Sequence, residues 1–280
     1  MAIKVVADSS LDFDNKLIEA YDLAVDLVPF KLYIEDVEYA DDEKLDVYKF
    51  IDQMVKSPTV PRSACPSPMD FYNSLNHELD NYIVTISSQL SGTYNSAELA
   101  KKMFLEEYKE AFVHVFDSKS ASIGETLVLL KIHELERKGL VREELVTQVE
   151  KYISEMRTFF VSESLDNLMK NGRVSRLKGA IAAVFKIKPI MGTNDAGEII
   201  LYEKARGSER AFQRMAEMVC ENVGNAKEKV LAISHVNNEA MAIRFKEMVK
   251  EKSSFKDIVI VQTGGLSSLY CDNKGIIVSF

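Results

Sequence analysis

Short apolar runs alternate with amphipathic segments along the chain, and this pattern predicts strands and helices in turn. In the first part, the predicted strands cover residues 3–7, 25–33, 82–87 and 111–116. The predicted helices there cover residues 13–21, 46–56, 69–79, 94–107, 123–137 and 143–156. Alternation of this kind is typical of a mainly parallel sheet with flanking helices.

The pattern of predicted strands and helices changes in the later part of the chain. Its predicted strands cover residues 158–161, 186–191, 199–202, 230–234, 258–262 and 275–279, and its predicted helices cover 165–170, 208–223 and 239–252. Asn194-Asp195-Ala196-Gly197 is suited to a hairpin turn, and a hairpin within an α/β alternation predicts a mixed sheet. We therefore expect an α/β protein of two α/β domains, residues 1–155 and 156–280.

Composition and charge limit the classes of molecule that the protein is expected to bind. The 280 residues are 46% hydrophobic and 28% charged, which supplies enough apolar material for one large core or two smaller ones. A formal net charge of -8 with a pI near 5.2 repels polyanions, so we expect no nucleic acid partner and no binding to anionic membranes.

Cysteine content and hydropathy bear on the compartment. Cys65, Cys220 and Cys271 are far apart and odd in number, which argues against a disulfide framework and indicates a reducing compartment. No run of about 18 apolar residues occurs, and the first residues lead directly into a strand-like run. These features predict a cytoplasmic protein without stable membrane insertion.

Several catalytic signatures are absent from the sequence. It has no G-x-S-x-G elbow, no Walker A loop and no G-x-G-x-x-G. The four histidines, His77, His114, His133 and His235, lie in separate predicted elements, none at i, i+4 spacing. We expect neither a metal site nor a cofactor.

Five short polar motifs follow one another in a characteristic order. They are Asp8-Ser9-Ser10, residues 63–68 (SACPSP), 91–97 (SGTYNSA), 117–124 (DSKSASIG) and 171–175 (NGRVS), followed near the end by QTGG. In type and order they resemble the DegV family over essentially the whole chain. The resemblance implies a fatty acid bound in a tunnel between two α/β domains. It also implies, for some members, a role as the acyl-carrying subunit of a bacterial fatty acid kinase.

The carboxylate of such a ligand needs short, fixed hydrogen-bond donors. Hydroxyls and backbone amides at a helix start supply them without a full counter-charge, and Ser63 and Ser91 are suitable donors. The family's T-S-Q-P-S corresponds to residues 63–67 here, so Ser63 keeps the hydroxyl of the first threonine. Ser91 matches the family's second headgroup serine, although a helix cap is its alternative role. Gly92 would let the backbone approach the ligand without a Cβ.

A third segment near the C-terminus departs from the family. Where the family often has T-H-T-G-P-G, this chain has residues 261–265 (VQTGG), so Gln262 replaces the histidine. An amide donates a hydrogen bond but does not titrate near neutral pH. We expect Gln262 and Thr263 to contribute to ligand binding without a proton-dependent role.

Arg173 in NGRVS matches an arginine that the resemblance implies in acyl-phosphate formation with a kinase partner, and a planar guanidinium suits phosphate. Residues 170–188 hold six basic and no acidic residues, and we call this segment the basic island. It suits docking to a partner's ATP site, and its alternative is a solvated helical face. The apolar run over residues 179–185 suits either an acyl tunnel or a core.

Three functions remain open from the sequence. The leading hypothesis is a protein that is no enzyme on its own, holds a long-chain fatty acid and presents it to a separate ATP-dependent kinase. The second is a hydrolase with Ser91 or Cys65 as nucleophile and Asp8, Asp117 or His235 as base. The third is a lipid-dependent carrier or regulator without a kinase partner.

Overall fold

The computed structural model describes residues 2–174 and 187–280. The strands within them are β1 (Ile3–Asp8), β2 (Asp26–Val28), β3 (Lys31–Ile34), β4 (Val37–Ala40), β5 (Arg62–Ala64), β6 (Asp80–Thr85), β7 (Phe112–Asp117), β8 (Thr158–Val161), β9 (Ile187–Thr193), β10 (Ile199–Arg206), β11 (Val230–His235), β12 (Asp257–Gln262) and β13 (Ile276–Ser279). The α-helices are α1 (Asn15–Tyr21), α2 (Val47–Lys56), α3 (Pro68–Tyr72), α4 (Thr93–Glu107), α5 (Ile123–Arg137), α6 (Arg142–Glu155), α7 (Asp166–Lys170), α8 (Ser208–Asn222), α9 (Glu239–Lys250) and α10 (Gly265–Cys271). Most predicted elements are present within about two residues of their expected bounds.

The first sheet has four strands in the order β2-β1-β6-β7, and all its neighbouring strands are parallel. Side chains alternate between its two faces, so that Val5 and Ala7 belong to one buried cluster and Val6 to another. Both faces are buried, as expected for a parallel sheet covered by helices. The predicted parallel sheet of the first part is confirmed.

The second large sheet has six strands in the order β10-β9-β8-β13-β11-β12. β11 and β12 are parallel, and the other neighbouring strands are antiparallel. On β8, Phe160 joins the cluster that includes the first sheet, while Phe159 and Val161 pack with side chains of α8 such as Phe212. The predicted mixed sheet is confirmed.

The single strand predicted over residues 25–33 is wrong. β2 ends at Val28 and pairs with β1, whereas β3 begins at Lys31 and pairs with β4 and β5 in a separate antiparallel sheet. Pro29 lies between them and has no amide hydrogen for a ladder, so the chain leaves the parallel sheet there. The strands β4 and β5 of this three-stranded sheet were not predicted.

The helix predicted over residues 69–79 is too long, because α3 ends at Tyr72. The buried side chain of Asn81 accepts a hydrogen bond from the amide of Asn76 at 2.9 Å and donates to the carbonyls of Asn76 and Leu79. These bonds hold residues 73–79 in turns rather than a helix. In addition, β10 extends to Arg206 rather than residue 202, and α10 was not predicted.

The division into residues 1–155 and 156–280 stays a prediction. The strands of the parallel sheet all precede residue 118, and those of the six-stranded sheet all follow residue 157. One cluster of buried apolar side chains nevertheless includes Val84 of the first sheet and Phe160 of the second. The two parts therefore share a core along the face where they meet.

Candidate functional site

A partly open cavity with about 720 Å³ of space free of protein atoms lies between the parallel sheet and the six-stranded sheet. Loops after β1, β6 and β7 contribute Ser10, Ile86 and Ser122, because the carboxyl ends of neighbouring parallel strands meet at one edge. Phe160 of β8 and Ile277 of β13 form part of the opposite wall. An apolar cleft with a few polar groups, closed on two sides by packed sheets, is the usual form of a small-molecule site.

One end of the cavity is polar. Ser63 on β5 lies 2.9 Å from the hydroxyl of Tyr270 on α10, measured between the two oxygens. The guanidinium carbon of Arg173 lies 5.6 Å from the centre of the Tyr270 ring, and its Nε donates to the carbonyl of Leu90 at 3.2 Å. Arg173 is the only charged residue in the lining formed by the described residues. This end is consequently the place that suits an anionic group.

Ser91 also lines the cavity, one residue after Leu90. Its hydroxyl lies 2.7 Å from that of Thr93 and accepts a hydrogen bond from the Thr93 amide at 3.3 Å. Gly92 is exposed, precedes α4 and is not part of the lining. A Cβ at Gly92 would lie 3.7 Å from the sulfur of Cys65, an ordinary contact distance. Ser63, Ser91 and Arg173 are thus brought together, whereas Gly92 lies beside them.

Gln262 and Thr263 lie outside the cavity. The Gln262 side chain accepts from the amide of Asn237 at 3.2 Å and belongs to a separate surface cleft with His235. Thr263 is buried, and its hydroxyl makes hydrogen bonds to the His235 carbonyl at 3.2 Å and to the Ser268 hydroxyl at 2.8 Å. The structure does not bring these two residues to the polar end with Ser63.

Two buried aspartates hold the start of α10. Asp12 accepts a hydrogen bond from the Gly264 amide at 2.7 Å, and Asp41 accepts from the amides of Gly265 at 2.8 Å and Leu266 at 3.0 Å. Burial raises the pKa of Asp12 to about 7 and that of Asp41 to about 6. These contacts fix α10, which carries Tyr270, against residues of the first part of the chain.

A second buried pair of carboxyl groups lies near Ser10. Asp8 accepts hydrogen bonds from the amides of Ile86 and Ser10, each at 2.9 Å. Glu125 on α5 is fully buried, and neither of its carboxyl oxygens has a hydrogen-bond partner among the described residues. Burial, followed by the negative charge of Asp8, raises the pKa of Glu125 well above its ordinary value. The Glu125 carboxyl group therefore keeps its proton to a higher pH than an ordinary glutamate does.

The residues considered as nucleophile and base of a hydrolase do not lie in the geometry that such an enzyme requires. Asp8 and Asp117 accept hydrogen bonds from backbone amides of nearby loops. His235 lies in the separate cleft, and burial lowers its pKa. Within the described residues, none of the three is hydrogen-bonded to Ser91 or to the exposed Cys65.

Tyr270 is a lining residue that the sequence did not indicate. It lies on α10, a short helix whose residues show neither a capping motif nor a clear apolar period. Its position next to Ser63 results from pairing between segments 207 residues apart. No local signal in the sequence would have identified it.

Part of the basic island lies outside the described residues. Arg176, Lys178, Lys186 and the apolar run over residues 179–185 fall in the segment between residues 174 and 187. Of the flanking members, Lys170 pairs with Asp166 at 3.6 Å and Lys188 pairs with Glu163. A docking role for the island stays a prediction.

Two kinds of feature are absent from residues 2–174 and 187–280. No group of three or more histidine, cysteine, aspartate or glutamate side chains is arranged to hold a metal ion. No helix in that part of the chain has the length and apolar character needed to cross a membrane.

Comparison with known proteins gave matches over the full chain. A family model described as "Uncharacterised protein, DegV family" matches residues 2–278. A DegV domain-containing protein of Streptococcus gordonii is 32% identical over 280 residues, covering 100% of this chain and 99% of that protein.

Solved structures match the whole fold. A DegV family protein of Ruminococcus gnavus, refined with vaccenic acid, is 39% identical with a TM-score of 0.94, covering 100% of this chain and 99% of the other. The fatty acid kinase (Fak) B3 protein of Streptococcus pneumoniae, loaded with linoleic acid, is 31% identical with a TM-score of 0.89 and the same coverage. A Eubacterium eligens protein loaded with heptadecanoic acid is 30% identical with a TM-score of 0.90, covering 99% of each chain.

Proposed function

Because the chain belongs to the DegV family, we propose that it binds a long-chain fatty acid in the cavity between its two large sheets. The observation that carries this proposal is a largely apolar cavity whose lining includes its one described charged residue, Arg173, and the hydroxyls of Ser63 and Ser91. Similar chains of known structure hold vaccenic, heptadecanoic and linoleic acids, which supports the assignment.

The carboxylate lies at the polar end. A carboxylate that leaves water needs donors or a cation in place of its hydration, and charge-assisted hydrogen bonds are the strongest of these. Ser63 and Ser91 supply hydroxyl donors there, and Arg173 supplies positive charge. The acyl chain then lies along apolar side chains such as Phe160, Ile199 and Ile277, where each buried methylene stabilises the complex by about 0.8 kcal/mol.

We further propose that the protein is not an enzyme on its own and presents the carboxylate to a separate ATP-using kinase. In that reaction a carboxylate oxygen attacks the γ-phosphorus of ATP, the bond to the bridging oxygen breaks, and ADP leaves with that electron pair. Arg173 recognises the phosphoryl group on the acyl phosphate, since a guanidinium binds phosphate through two parallel N–H···O hydrogen bonds. The similarity to the Streptococcus pneumoniae kinase protein supports this role.

The first experiment is native mass spectrometry of the purified protein, followed by denaturation and identification of the released lipid. We expect one fatty acid per chain. A protein that carries no lipid and gains no mass after incubation with fatty acids contradicts the proposed function.

Two variants then separate retention of the ligand from its phosphorylation. Ser91→Ala is expected to weaken retention of the fatty acid, because one donor to the carboxylate is lost. Ser96→Ala, on the helix α4 that follows Ser91, is the matched control outside the lining. Arg173→Ala is expected to lower acyl-phosphate formation with a fatty acid kinase by more than it lowers retention. Arg210→Ala on α8 controls for loss of an exposed guanidinium.

A carrier or regulator without a kinase partner is the remaining alternative. It predicts that Arg173→Ala retains both the bound acid and the cellular function. Equal loss of retention and phosphorylation in Arg173→Ala would instead show that this residue acts only in binding, and the proposed division of roles would be wrong.

A further inference from the structure

Tyr270 occupies the polar end of the cavity together with three residues already assigned to the headgroup. Its hydroxyl oxygen lies 2.9 Å from that of Ser63, and its ring lies beneath the guanidinium of Arg173, with 5.6 Å between the guanidinium carbon and the ring centre. The ring is partly exposed and lines the cavity, so its hydroxyl is accessible to a ligand there.

The hydrogen bond between Ser63 and Tyr270 leaves one of their two hydroxyl protons without an acceptor. Two hydroxyl groups bring two protons, and their mutual bond requires one of them. Neither side chain has another hydrogen-bond partner among the described residues. The pair therefore offers one O–H donor to an acceptor in the cavity.

Two other hydroxyls in the lining are engaged with the protein. Ser122 makes hydrogen bonds to Asp12 and to the Ser234 hydroxyl, the latter at 2.8 Å. Thr158 bonds to the hydroxyls of Ser120 at 2.7 Å and Ser279 at 2.9 Å. The donor left by the Ser63–Tyr270 pair, by contrast, lies beside the positive charge of Arg173.

The Tyr270 ring also places Arg173. A cation over a tyrosine face is attracted by the ring, and here the guanidinium additionally donates to the carbonyl of Leu90 at 3.2 Å. These contacts leave the positive charge beside the two hydroxyls rather than free in solvent. The arrangement is suited to an anionic headgroup and offers less to a neutral one.

We propose that Tyr270 is a headgroup-binding and specificity-determining residue, whose hydroxyl accepts from Ser63 and donates to the ligand carboxylate, and whose ring holds Arg173 in place. This inference rests on the proposed function, since it assigns a further role at the same site. It makes Tyr270 a determinant of the preference for a long-chain acid over the corresponding alcohol.

The test compares palmitic acid with hexadecanol, which share a chain and differ in the headgroup. Equilibrium partition of radiolabelled acid and alcohol is measured on delipidated wild type, Tyr270→Phe and Tyr270→Leu. Loss of a hydrogen bond to a charged group predicts about tenfold weaker acid binding for Tyr270→Phe, with the alcohol changed by less than about twofold. Tyr270→Leu is expected to weaken acid binding further, because Arg173 loses the ring.

Tyr39→Phe is the matched control, since the Tyr39 hydroxyl bonds to Gln53 at 2.9 Å outside the cavity. Thermal unfolding of each variant shows whether it is folded. If Tyr270→Phe binds both ligands as wild type does, or loses both equally, the headgroup role is overturned while the proposed function stands. If wild type itself binds neither ligand, the proposed function and the inference that rests on it both fail.

Discussion

Replacement of Glu125 by glutamine tests the most unusual electrostatic feature of the molecule. Glu125 is fully buried, has no hydrogen-bond partner among the described residues, and lies close enough to Asp8 for that charge to raise its pKa. Glutamine has nearly the same shape and cannot ionise. Its amide also offers N–H donors to the carboxylate of Asp8, so we expect Glu125→Gln to fold normally.

The magnitude follows from proton linkage. The folded protein keeps the Glu125 proton, whereas the unfolded chain loses it above the ordinary carboxyl pKa. The folded state therefore binds more protons, and the free energy of unfolding decreases as the pH rises from the unfolded pKa towards the folded one. Within that range the decrease is at most about 1.4 kcal/mol per pH unit.

The variant lacks this contribution. Its free energy of unfolding relative to wild type is consequently expected to increase with pH over that range, by at most about 1.4 kcal/mol per pH unit. Groups that do not interact with Glu125 titrate in both proteins and cancel from the difference, and Asp8 and Asp12 have a neutral neighbour in both proteins as long as Glu125 is protonated. The sign is fixed by the raised pKa: the advantage of the variant grows with pH.

Urea unfolding at pH 5.5, 6.5 and 7.5 measures this difference. Delipidated protein is required, because bound ligand adds its own stabilisation to the folded state. Glu136→Gln, at a partly exposed position on α5, is the control for the chemical change itself. A difference between Glu125→Gln and wild type that stays constant across the three pH values would refute the reasoning, as would one that decreases with pH.

Two further predictions concern packing and buried hydrogen bonds. Gly192→Ala places a Cβ 2.3 Å from the Thr158 carbonyl oxygen, so we expect urea unfolding to show a loss of about 1–3 kcal/mol or more. Gly92→Ala, with 3.7 Å to its nearest neighbour, should change stability by less than about 0.5 kcal/mol. Asn81→Ala removes four buried hydrogen bonds and should cost about 2–4 kcal/mol by the same measurement, whereas Asn73→Ala, at an exposed position, should not. Unchanged stability in Gly192→Ala or Asn81→Ala would contradict these assignments.

Two errors in the predicted elements arise where contacts beyond the segment decide its structure. The apolar run over residues 25–33 was taken as one strand, because hydrophobicity does not show where a chain passes from one sheet to another; Pro29 marks that point. The predicted helix over residues 69–79 extended past Tyr72, because the hydrogen bonds that end it come from Asn81, outside the segment itself. In both places a tertiary contact prevailed over the local pattern.

The candidate site was predictable only in part. Ser63, Ser91 and Arg173 were identified through motifs that resemble a family, and they lie together in one cavity. Gln262 and Thr263, chosen in the same way, lie outside it. Spacing along the chain does not report which side of a strand end a side chain faces, and this decides whether it reaches the cavity.

The sequence by itself determined the alternation of strands and helices, and with it an α/β fold with one parallel and one mixed sheet. This was possible because apolar periodicity records local burial, which is a property of each segment. Only the tertiary structure decided that Tyr270 meets Ser63, 207 residues away, and that Glu125 lies buried beside Asp8. Such contacts depend on strand order and on how the two sheets pack against each other, and neither is a property of any single segment.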